Sequence, residues 1–194
     1  TGGEPSVSES GAESSGKSGE QSESSLEKAS IEQIGSIAME KWKNICAALF
    51  EDVNTLTETR LVSIYTTYYI QTVDKLDAYQ RFPKSDVAAF AEDYFGIDIC
   101  NAETAAALGI GEGEEFNADT HADAIFYGDY KLLDCAENSD GTYTMVVQTI
   151  INLEGLFPSG EDEITRISTV EFSYDNQNVH FISAQYTQDG KKLP

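Results

Sequence analysis

The hydrophobic period of this chain changes once, and that change constrains its fold more than any other feature. From about residue 26 to residue 108, apolar side chains recur every three or four positions; from 124 to 187 they recur at every second position. A helix repeats about every 3.6 residues and a strand every two, so the first stretch reads as helices and the second as strands. Helices gathered before strands, rather than alternating with them, predict an α+β domain. Its helices should cover one face of an antiparallel sheet.

In the helical part, Ser24 and Glu27 have the spacing of a capping box. Ile31, Ile34, Ala38, Trp42, Ile45 and Leu49 then form one apolar stripe, which predicts a first helix from Leu26 to Asp52, broken by Asn54. Thr55 and Glu58 repeat the capping spacing. Leu61, Ile64, Tyr65, Tyr68, Tyr69, Thr72, Val73, Leu76 and Tyr79 give a second helix a broad apolar face. Pro83 should end it, because its ring disfavours a helical predecessor. Two long helices so closely joined predict an antiparallel hairpin. A third helix is capped by Ser85, turns Val87, Phe90, Ala91 and Tyr94 inward, and stops at Gly96. Asn101 and Gly109 bracket a fourth, Ala102 to Leu108, and residues 109–123 read as an acidic loop.

Four alternating stretches follow: Ala124–Ala136, Thr142–Asn152, Ile164–Tyr174 and Val179–Thr187. Asn138-Ser139-Asp140-Gly141 and Asp175-Asn176-Gln177-Asn178 join them as two hairpins. A longer loop, 154–163, connects the pairs, so the sheet should be a four-stranded meander.

Residues 1–25 differ in kind. They hold nine Ser, five Gly and five Glu, with Val7 as the one aliphatic residue beyond Ala. So little apolar surface cannot offset the entropy of ordering, and the segment reads as a disordered tether ahead of a single domain, 26–194. A start at Thr1-Gly2-Gly3, without Met and inside low complexity, reads as a chain trimmed behind a removed export segment. No run of about 20 apolar residues exists for a transmembrane helix.

The net charge is −22, and the tether, with five Glu against Lys17, accounts for −4 of it. The acidity therefore belongs to the domain. It repels phosphate backbones and anionic lipid, which argues against nucleic-acid binding and against docking on membranes through basic clusters. Cys46, Cys100 and Cys135 form no CxxC pair; buried free thiols are the simplest reading, with one disulfide through Cys100 left open.

Motifs that would name a reaction are missing. There is no GxSxG, Walker loop, HExxH or GxGxxG, and nothing calls for a cofactor. Glu112, Glu114, Glu115, Asn117, Asp119, His121 and Asp123 supply oxygen donors. Yet Ala122 stands where an EF-hand needs Gly and Gly128 where it needs Glu, so a solvated loop is the better reading than a metal site. His121 and His180 lack a nucleophile nearby in sequence. The tyrosines of the second helix are more suggestive. Tyr65, Tyr68 and Tyr69, with Tyr130 on the first strand, combine rings with polar tips and mark candidate ligand contacts between that helix and the sheet. The same stripe also suits plain core packing.

The Ser/Gly/Glu-rich start ahead of a compact acidic domain resembles the mature part of a Gram-positive surface lipoprotein. It is similar, too, to the outer domain of single-pass membrane proteins. The element order over 26–190 resembles cystatin-like and nuclear-transport-factor-like folds, in which a curved sheet wraps a helix. These resemblances imply an extracytoplasmic, membrane-tethered, non-catalytic module on the outer face of a bacterial cell membrane. It would bind a protein or small-molecule ligand and touch the membrane only through its anchor. Two other readings stand beside it: a hydrolase using carboxylates such as Asp134 or Glu171, and an accessory module of an envelope complex.

Overall fold

The structure, a computed structural model, describes residues 29–45, 48, 50–73, 80–118, 128–152 and 163–188. The tether, Ser24, Glu27, Cys46, Leu49, Leu76, Tyr79, Asp119, His121 and Asp123 lie outside them. The fold is α+β, with four helices ahead of a four-stranded antiparallel sheet and a small two-stranded sheet.

Helix α1 spans Ile31–Lys43. A capping box does start it, but the pair is Ser30 and Gln33, whose reciprocal bonds satisfy the first free amides at 3.3 and 2.8 Å. The helix ends at Lys43, well short of Asp52. Beyond it Phe50 exchanges two backbone hydrogen bonds with Ala184, a pairing that a helix running through Phe50 would not allow. A 3-10 turn, Val53–Thr55, capped by Asp52, leads to α2, Glu58–Thr72. The N-cap of α2 is Thr57 rather than Thr55. Its end at Thr72 precedes Pro83, which instead belongs to a short strand, β1, Arg81–Pro83.

Helix α3, Lys84–Phe95, follows at once. Pro83 occupies its N-cap and Ser85 does not cap; the Ser85 hydroxyl lies 3.2 Å from an Asp86 carboxylate oxygen. Gly96, at φ 66°, closes α3 in the left-handed region that Gly tolerates best. Helix α4, Ala102–Leu108, begins at Asn101 and stops at Gly109, as its sequence predicts. The acidic loop hides β2, Glu115–Asn117, paired with β1. One apolar residue, Phe116, gives it too little alternation to be read from sequence.

Strands β3, Gly128–Glu137; β4, Tyr143–Asn152; β5, Glu163–Asp175; and β6, Asn178–Gln188, form the meander in the order β3-β4-β5-β6. Alternation sets its inner face. Tyr143, Met145, Val147, Val170, Phe172, Val179 and Phe181 are buried there. A bulge at Leu133 keeps Leu132 and Cys135 both on that face and leaves Leu133 exposed.

The two long helices take different partners. Helix α1 lies on the sheet at β3 and β6, whereas α2 packs on α3, which in turn lies on β6. Gly35 brings α1 against β3; a Cβ there would stand 2.8 Å from the Cys135 Cβ. Trp42 meets Phe181 edge to face at 5.2 Å. Lys41 ties three elements together. Its ammonium donates to the Asp93 carboxylate at 2.8 Å and to the Val179 carbonyl at 3.1 Å, and it sits 4.7 Å from the centre of the Tyr94 ring.

Candidate functional site

The tyrosines of α2 form a packed aromatic cluster. Tyr65 meets Phe82 edge to face at 4.8 Å and Phe90 at 5.2 Å; Tyr68 reaches Tyr94 at 5.3 Å, and Tyr69 reaches Phe82 at 5.2 Å. Tyr65 is 5% exposed, while Tyr68 and Tyr69 are half-buried against the core. Burial, helped by Asp86, pushes the Tyr65 phenol up to about 12. Burial does the same to Tyr94, against the opposing hydrogen bond from Asn44. Helix α3 contacts both α2 and β6 and so packs between α2 and that strand. This cluster gives α2 a polar-tipped seam on α3.

Tyr130 lies elsewhere, on β3 opposite Thr149, which is itself opposite Arg166 on β5. This row crosses the inner face next to the row of Leu132, Val147 and Ser168. Thr149 and Ser168 are buried, and among the described residues neither hydroxyl has a hydrogen-bond partner. The sequence therefore groups four tyrosines that the fold divides between a helix–helix seam and one end of the sheet.

The carboxylates of the hydrolase reading lie on the opposite face, on strands separated by β4. The Asp134 carboxylate accepts from the backbone amide of Cys135 at 2.9 Å. Glu171 accepts from Thr142 at 3.3 Å and Ser183 at 3.4 Å, within a polar network that includes Asn138 and Thr144. Neither lines a cleft among those found in the described residues. His180 packs its ring beside Gly96 at the end of α3. Glu115 pairs with Arg81, and no three His, Cys, Asp or Glu side chains converge on a metal position among the described residues. Cys100 is exposed and Cys135 half-buried; both are free thiols.

Two concavities open between elements. The smaller, about 230 Å³, lies between the start of α2 and β2, at Val62 and Phe116. The larger, about 820 Å³, lies between the first turns of α1 and the β5–β6 turn. Ser30, Glu32, Gln33, Ser36 and Ile37 line one wall, Tyr174 and Gln177 the other. Its volume falls within the range of roughly 300–1,000 Å³ typical of ligand sites. Part of its lining is already engaged: Ser30 and Gln33 close the capping box, and Ser36 donates to the Glu32 carbonyl at 2.8 Å. The Glu32 carboxylate, Tyr174 hydroxyl and Gln177 amide point to no hydrogen-bond partner among the described residues. Ile37 is 37% exposed at the wall.

Sequence reading passed over this place, although one signal was present. The β5–β6 connection is a two-residue turn with both central residues at positive φ, Asn176 at 49° and Gln177 at 73°. Asn followed by Gly is the favoured pair for such a turn, and here Gln stands where Gly is expected. Comparison with protein-family models, curated proteins and solved structures finds no match.

Proposed function

We propose that this chain is a non-catalytic binding domain, carried on the outer face of a bacterial cell membrane by its Ser/Gly/Glu-rich segment, and that the cleft between α1 and the β5–β6 turn receives its ligand. The observation that carries the reading is that cleft. It is of ligand size, it joins an aromatic ring and an aliphatic wall, and its Glu32, Tyr174 and Gln177 side chains have no hydrogen-bond partner among the described residues. The location rests on the composition of residues 1–25 and on the acidity of the domain, which disfavours nucleic acid and anionic lipid as partners. No helix among the described residues is long and apolar enough to cross a membrane.

A fragment library titrated into the isotope-labelled chain tests the binding half. Amide shifts should cluster at Ser36, Ile37, Tyr174 and Gln177. Shifts confined to the α2–α3 seam, or none at all, would remove the cleft from consideration. Antibody labelling of intact cells tests the location: a signal only after permeabilisation would refute it.

A further inference from the structure

We draw no further inference here: the strongest candidate, the pair of buried hydroxyls of Thr149 and Ser168 on the inner face of β4 and β5, without hydrogen-bond partners among the described residues, carries nothing because both oxygens are sealed with no space beside them for a ligand, and nothing in the structure shows what covers that end of the sheet.

Discussion

Gly35→Ala is the sharpest test of how α1 is seated. On an isolated helix the change would stabilise, since Ala exceeds Gly in helix propensity by about 1 kcal/mol. Here the added methyl would lie 2.8 Å from the Cys135 Cβ, 3.0 Å from its sulfur and 3.1 Å from Leu132 Cδ2. Carbon atoms pack best at about 3.5–4.0 Å, so the shortest contact is roughly 0.7 Å too close. The Cys135 Cβ is fixed to the strand backbone and cannot swing away, so α1 must lift from β3. Overpacking of this kind costs about 1–3 kcal/mol. Set against the propensity gain, the expected net loss is about 1 kcal/mol, or roughly 2–4 °C in a chain of this size. Trp42, the only tryptophan and fully buried, reports urea unfolding by fluorescence. Repeating the change in a Cys135→Gly background removes two of the three contacts and should restore the gain. A Gly35→Ala protein that is more stable than the parent, by the full propensity value, would refute the close approach.

Three further outcomes are expected. Thr149→Val removes a buried hydroxyl without a partner among the described residues and should stabilise by about 1 kcal/mol in urea melts, whereas a loss would mean that the hydroxyl is paired. Tyr65 and Tyr94 keep their protons up to about 12 when folded, against 10.0 for an unperturbed phenol. The unfolded state thus loses protons first, so stability is intact below pH 10 and falls as pH rises through 12; Tyr65→Phe with Tyr94→Phe should flatten that fall in alkaline denaturant titrations. In a Cys46→Ala background, a maleimide should label exposed Cys100 well before Cys135, whose thiol is pushed up by burial and by Asp134. Equal rates would contradict the seating of Cys135 under α1.

The parts of the fold set by local chemistry were legible in sequence. Asn101 and Gly109 bound α4, Gly96 stops α3, and the two hairpin turns fall where their Asn, Asp and Gly residues put them. What failed depended on distant partners. The apolar stripe of α1 continues through Ile45, which is buried, yet the helix has ended because Phe50 bonds Ala184. Pro83 marks a strand because Phe116 arrives to cover Phe82 from a loop whose composition is acidic. The candidate site was legible only as an oddity. Tyrosines draw attention by chemistry, but Gln177 is informative by conformation, and a positive φ at a particular Gln is visible only once the turn has been built.

The bond pair between Phe50 and Ala184 also carries a consequence for how the molecule is made. It joins the connection between the first two helices to the last strand, and Lys41 reaches the same strand at Val179. Contacts so distant in sequence close loops late and slow the search for the native state. During synthesis, the helical half emerges first but finds its seat only once β6 is available. A product cut short before β6 would carry Trp42 and Phe50 uncovered, in a form attractive to chaperones and proteases. Strand β6 thus serves as the clasp that holds the helical half on the sheet.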